Sequence, residues 1–204
     1  MFHDRKVMVL SPHSDDAEYS VSGTIAMFPD SEWTIHVMSP GSRGDAGSKP
    51  SRFDEMRSFW DVMKANVRLE VYDDCFVGDK TEEEWINEIR DRASDYDVLL
   101  IPSGDDTHYE HRLAYNVGRA LVRHTPTSVI SYSTPSTAIG WTPNLFVDIS
   151  SMWSRKLVAL FRLTSQLERD YFSEESILSF HSFPQACKRG HTVAERLRVE
   201  EGYL

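Results

Sequence analysis

The sequence predicts an α/β fold: a single Rossmann-like domain with a largely parallel β-sheet flanked by helices. Three observations carry that prediction. Short apolar runs with β-branched content recur along the chain and alternate with segments whose apolar residues fall at helical spacing, the pattern of strand–helix repeats around a parallel sheet. The first of these runs is apolar almost throughout, as a strand covered on both faces should be. The 204 residues contain no linker, internal repeat or low-complexity stretch, so residues 1–204 read as one domain.

Lys6–Ser11 is the first apolar run, bounded by Pro12, and reads as a buried strand. A polar turn, His13 to Asp16, precedes a helix from about Ala17 to Met27. Trp33–Met38 is the second strand, and Ser39 to Lys49 a Gly/Ser-rich loop. Phe53, Met56, Phe59, Trp60 and Met63 fall at helical spacing and predict a helix over Ser51 to Asn66. Val67–Tyr72 alternates and reads as the third strand. Thr81 followed by Glu84 is a capping-box pattern opening the next helix. Asp97–Pro102 is the fourth strand; the loop Ser103 to Glu110 then leads into a helix through Arg123. Ser128–Tyr132 and Leu145–Ile149 are the fifth and sixth strands, and Met152 to Gln166 reads as one long amphipathic helix. Beyond it the pattern breaks into short helices, Pro184 and a final segment Ala194–Glu201.

Composition narrows the function. The formal net charge of −10 argues against a nucleic-acid backbone as partner, which needs a basic face; a small phosphorylated substrate could still be served by a local Arg pair. Cys75 and Cys187 are too few for a disulfide framework, so both read as free thiols in a reducing compartment. Met1 to Asp4 runs straight into a strand, with no leader pattern and no apolar run near the ~18 residues of a membrane span. The expectation is a cytoplasmic protein without membrane contact, with self-association into a homo-oligomer left open.

Three loops concentrate the chemistry: Pro12-His13-Ser14-Asp15-Asp16 after the first strand, Gly41-Ser42-Arg43-Gly44-Asp45 after the second, and Asp105-Asp106-Thr107-His108-Tyr109-Glu110-His111 after the fourth. All three leave the carboxyl edge of a parallel sheet, where such folds bind ligands. A His with two Asp within four residues, plus two His three apart, supplies nitrogen and oxygen donors that suit Zn²⁺ at about 2.0–2.2 Å. With no Cys in the set, Fe²⁺, Mn²⁺ or Co²⁺ remain alternatives. The plainer alternatives are that Asp15 or Asp16 merely caps the helix starting at Ala17, and that His108 and His111 sit at a solvated helix start.

These residues carry a resemblance. The segment from Val9 through Pro12-His13-Ser14-Asp15-Asp16 to Ser22-Gly23 and Ala26 resembles the signature of the LmbE-like (PIG-L) N-deacetylase family, a strand followed by His-Pro-Asp-Asp and a helix start with a Gly pair. Ser42-Arg43-Gly44-Asp45-Ala46-Gly47 looks like the family's Arg-Gly-Glu-x-Gly loop, and Arg52-x-x-Glu55 like the Arg-x-x-Glu of its next helix. Asp106-x-His108-x-x-His111 is similar to the second metal motif, Asp-x-His-x-Asp-His. Asp148-Ile149, Lys156, Ser165-Gln166 and the terminal Ala194-Glu195-x-x-Arg198 follow in the family's order. Ser14 replaces the usual Pro, Ser22 the first Gly of the pair, Glu110 an Asp and Leu197 a Phe; no proposed ligand is lost.

The resemblance implies a metal-dependent N-deacetylase that hydrolyses an N-acyl group from an amino sugar or sugar conjugate. By position, His13, Asp16 and His111 bind the ion, Asp15 is the general base, and a protonated His108, oriented or kept charged by Asp106, stabilises the oxyanion. Arg43 and Arg52 are candidates for gripping sugar hydroxyls or a phosphate, Arg52 alternatively pairing with Glu55 on the helix surface. Asp73 or Asp74, closing the third strand at the same edge, could bind a substrate hydroxyl; Trp141 could stack on a sugar or lie in the core; Lys156 and Ser165-Gln166 read as structural. The competing readings are another metallohydrolase such as a two-metal phosphoesterase, a receiver-like binding module, and a catalytically silent sugar-binding relative.

Overall fold

A computed structural model describes residues 1–40, 51–72, 76–93, 95–123, 125–183 and 193–202. Among these residues seven strands form one sheet in the order β3-β2-β1-β4-β5-β7-β6. They are β1 Lys6–Ser11, β2 Glu32–Val37, β3 Val67–Val71, β4 Val98–Pro102, β5 Ser128–Tyr132, β6 Leu145–Asp148 and β7 Ala194–Glu201. The first five pair in parallel; β7 runs antiparallel between β5 and β6. The final segment, to which sequence assigns no element, is thus a strand. Apolar and charged residues alternate only at Leu197-Arg198-Val199, between the charged pairs Glu195-Arg196 and Glu200-Glu201, too short a period-2 pattern to mark a strand, and its pairing partners lie far upstream.

Alternation along the central strands divides the core in two. Val7 and Val9 of β1, Ile35 and Val37 of β2, and Leu100 of β4 face one layer of helices; Met8 and Leu10, with Leu99 and Ile101, face the other. The first layer holds α1 Asp16–Met27, α2 Arg52–Met63, α5 Trp153–Leu160 and α6 Glu174–His181; the second holds α3 Glu82–Ala93 and α4 Tyr109–Leu121. Among the described residues no helix is long and apolar enough to cross a membrane.

The helix boundaries follow local chemistry. In α2, Ser51 and Asp54 form a capping box, and the helix stops at Lys64, which takes the left-handed conformation at φ 54°, two residues short of the predicted Asn66. Thr81 and Glu84 make the expected reciprocal bonds at the start of α3. The predicted long helix Met152 to Gln166 is not continuous: α5 ends at Leu160 and a 3₁₀ turn covers Thr164–Gln166. The cause is Glu55 on α2, whose carboxylate accepts from the Ser165 backbone N–H (2.8 Å), the Ser165 hydroxyl (2.6 Å) and the Thr164 hydroxyl. Those bonds draw the chain off the helical path.

Candidate functional site

Chain order reverses between β1 and β4, the two neighbours at the centre of the sheet. At that switch point the loops at their carboxyl ends splay apart and leave a crevice. A cleft of about 430 Å³ opens there, lined among others by His13, Asp15, Asp16, His108, Glu110 and His111. Residues nearly a hundred positions apart meet because parallel strands all deliver their following loops to one edge.

Asp16 sits between the two imidazoles. Its Oδ2 accepts from the His13 backbone N–H (2.9 Å) and lies 3.1 Å from His13 Nδ1, while Oδ1 lies 3.3 Å from His111 Nε2. One donor atom from each of His13, Asp16 and His111 falls within 4.8 Å of the others. Two imidazole nitrogens and a carboxylate oxygen, all nearly buried, are a donor set that fits a divalent ion with positions left for water and substrate. The far nitrogen of each imidazole rests on a further carboxylate: His13 Nε2 on Glu110 Oε2 at 2.8 Å, His111 Nδ1 on Asp106 Oδ2 at 3.2 Å. Such partners fix which ring nitrogen carries the proton and aim the other inward. Asp106 is itself held by the Thr134 and Thr137 hydroxyls at 2.7 and 3.1 Å.

The electrostatics follow. Burial alone would lower the His13 pKa, but its hydrogen bonds to Asp16 and Glu110 override that and raise it to about 9. For His111 burial again pulls downward, but Asp16 and Asp106 outweigh it and raise the pKa to about 10. Asp16 is buried, which disfavours its charge, yet His111 and His13 hold it well below the usual carboxylate range. The centre therefore stabilises positive charge beside Asp16.

Asp15 precedes α1 but makes no side-chain capping bond, so the plain capping alternative does not describe it. Arg52 Nη2 lies 3.0 Å from its Oδ1; Arg52 pairs across the cleft with Asp15 rather than along its helix with Glu55. The Gln166 amide, turned so that both ends find partners, donates to Asp15 Oδ2 (3.2 Å) and accepts from Arg52 (3.0 Å) and Ser165 (2.9 Å). Burial raises the Asp15 pKa, opposed by Arg52 and reinforced by Asp16.

His108 lies with its ring stacked on His111, centroids 4.8 Å apart. Its Nδ1 accepts from the Glu110 backbone N–H at 3.3 Å, which leaves Nε2 to carry the proton. Two expectations change here. Asp106 accepts from the His108 backbone N–H (2.8 Å) and holds the His111 ring, not the His108 ring. And burial, followed by the charges of His111 and His13, lowers the His108 pKa, favouring the neutral imidazole over the imidazolium. His108 also falls, with His13 and Glu110, in a second group of possible ligands; both groups share His13.

Trp141 is buried at 7% exposure with Arg198 over its ring, so it is a packing residue, not a sugar platform. Lys156 is structural as expected, its Nζ 2.5 Å from Glu195 in the core. Arg43, Asp73 and Asp74, and both cysteines, Cys75 and Cys187, lie outside the described residues. Sequence reasoning missed Glu110 as a partner of His13, Gln166 as a holder of Asp15, and Arg169 and Tyr171 in the cleft wall. The Ser165-Gln166 pattern was a signal for the second; the others become visible only through tertiary contact.

Comparison with known proteins bears on the family and the fold. The model of the PIG-L family, GlcNAc-PI de-N-acetylase, matches residues 8–122. The 4-oxalmesaconate hydratase of Pseudomonas putida is 23% identical over 192 residues, covering 79% of this chain and 74% of the relative. The N,N'-diacetylchitobiose deacetylase of Pyrococcus horikoshii shares the fold with a TM-score of 0.75 at 18% identity, over 97% of this chain and 85% of that one. A conserved protein of Thermus thermophilus does so with a TM-score of 0.74 at 20% identity, over 97% and 96%.

Proposed function

The chain belongs to the PIG-L family, and on that ground we propose that it is a metal-dependent N-deacetylase acting on an N-acylated amino sugar or sugar conjugate. The observation that carries the reading is the convergence of His13, Asp16 and His111 on one point of the cleft with Asp15 beside them. A divalent ion held by those three, zinc being the first choice for the donor set, would supply Lewis acidity to the carbonyl and lower the pKa of water.

The chain's own residues do the rest. Asp15 takes the proton from the attacking water; its burial raises its basicity, while Arg52 and Gln166 hold its two oxygens. His108, neutral with its proton on Nε2, donates to the oxygen that gains charge as the amide carbonyl is attacked. Asp106 and Glu110 keep the ring nitrogens of His111 and His13 that face Asp16 free to bind the ion. Asp15, protonated by the first step, is the group placed to return a proton to the departing amine, so the amide C–N bond breaks and acetate and a free amine form.

The test is incubation of the zinc-loaded protein with a panel of N-acetylglucosamine conjugates, detecting free amine and acetate together. Appearance of both in equal amounts supports deacetylation. A second reading has one observation behind it, the similarity to a hydratase. The same cleft would then add water across a double bond, with Asp15 taking the proton from water as oxygen bonds one carbon and a proton passing to the neighbouring carbon. Loss of the ultraviolet absorbance of 4-oxalmesaconate, with no acetate released from any sugar, would favour the hydratase and sink the deacetylase.

A further inference from the structure

We propose that Arg169 and Tyr171 form an anion-binding subsite in the wall of the cleft, which takes a phosphate or carboxylate group of the substrate. The proposal rests on the reading of this cleft as the substrate site and adds the chemical class of what enters it. Both residues line the same cleft as Asp15, His108 and His111. The two arginines among the described lining residues differ. Arg52 is half-spent on Asp15 at 3.0 Å, whereas Arg169 is exposed and has no ion-pair partner among the described residues. On a chain of net charge −10, a guanidinium in the cleft wall with no ion-pair partner among the described residues is a local point of positive charge, and its planar fork matches an oxyanion.

The platform under the pair is rigid. The Arg169 backbone N–H donates to the Gln166 carbonyl and the Phe172 N–H to the Arg169 carbonyl, each at 2.9 Å, so two consecutive turns continue from the one that Glu55 anchors. The Tyr171 carbonyl accepts from the Tyr19 hydroxyl at 3.0 Å, and its ring packs edge-on against Tyr19, centroids 6.0 Å apart. The Tyr171 phenol is raised to about 12, by burial first and then by Asp15. It stays protonated and donates. A guanidinium and a phenol on one fixed turn are two donors for one anionic group, set beside the reacting centre.

The test measures dissociation constants by calorimetry on the zinc-loaded full chain for three sugars: N-acetylglucosamine, its 6-phosphate, and N-acetylmuramic acid. The phosphate and carboxylate arms separate the two possible anions. The wild type should prefer at least one anionic sugar over the neutral one by about tenfold or more. Arg169→Ala should bring that ratio to near one, Arg169→Lys should recover part of it, and Tyr171→Phe should cut it by a few-fold. No preference in the wild type overturns the subsite, as does a preference that survives Arg169→Ala, the result expected if the anion sits on the ion instead. Acetate release is followed in the same samples. An Arg169-dependent preference without acetate removes the deacetylase reading and leaves the subsite standing, while acetate release without a preference does the reverse.

Discussion

At the scale of single residues, the site divides labour between neighbours in sequence. Asp15 and Asp16 differ in what faces them: Asp16 meets two imidazoles, Asp15 meets Arg52 and Gln166. His111→Ala should therefore abolish tight metal binding, whereas Asp15→Asn should keep the metal and lose roughly 10²–10⁴-fold in kcat. His108→Ala should likewise retain metal while losing about 10²–10³-fold, the usual value of one oxyanion donor. Elemental analysis of the three variants beside their turnover separates the roles; metal lost from the His108 variant as fully as from the His111 variant would make His108 a ligand instead. The raised His13 and His111 pKa values, about 9 and about 10, carry a pH prediction. Below those values both rings hold an extra proton that a metal must displace. Zinc uptake at pH 7 should release close to two protons, and affinity should climb with pH by up to about 100-fold per unit. Calorimetry in buffers of different ionisation enthalpy reads the proton count, and uptake with no proton release contradicts the assignment.

At the scale of elements, buried charged groups hold the helices in place under the cleft. Glu195 on β7 accepts from the Gly23 and Thr24 backbone N–H groups of α1 at 2.7 and 2.6 Å, and from Lys156 of α5 at 2.5 Å. The lack of a side chain at Gly23 is what admits this contact, since a Cβ there would meet Ile149 at 2.7 Å and Glu195 at 2.9 Å. Lys156→Met leaves the Glu195 carboxylate buried without its counter-charge and should cost roughly 3–5 kcal/mol in urea denaturation; a loss under about 1 kcal/mol would mean water reaches the carboxylate. Glu55 is the second tether. Glu55→Ala breaks three bonds to the Thr164–Gln166 turn and should lower stability by roughly 2–4 kcal/mol. Because that turn presents Gln166 to Asp15, kcat should fall further than in the Lys156 variant at equal folded fraction.

At the scale of the whole molecule, the site is assembled from the loops that follow β1, β4 and β5, the start of α2 and the Thr164–Gln166 turn, so occupancy of the centre should stabilise the entire fold. An ion present at about 1,000 times its dissociation constant contributes roughly 4 kcal/mol, which for a domain of this size raises Tm by roughly 8–16 °C. Thermal unfolding with and without zinc measures it, and His111→Ala should show no such rise. An equal rise in that variant would place the bound zinc elsewhere.

Local pattern was enough for the layered α/β plan, because apolar runs and helical spacing are read within a few residues. It grouped the candidate site residues too, because His13, Asp15 and Asp16 are near neighbours and His108 and His111 share one loop; their separate roles came from the family resemblance. The capping box of Thr81 and Glu84 was legible for the same reason, being complete within four residues. What each site side chain touches was decided by tertiary structure alone. Asp106 went to His111 and not to the His108 ring, Arg52 to Asp15 and not to Glu55, and Glu55 to a turn some 110 residues away that sequence periodicity continues as a helix. β7 found its place between β5 and β6 the same way. In each case competing partners were chemically equivalent, and the choice fell to which carboxylate or strand edge the packed sheet brought within hydrogen-bond distance.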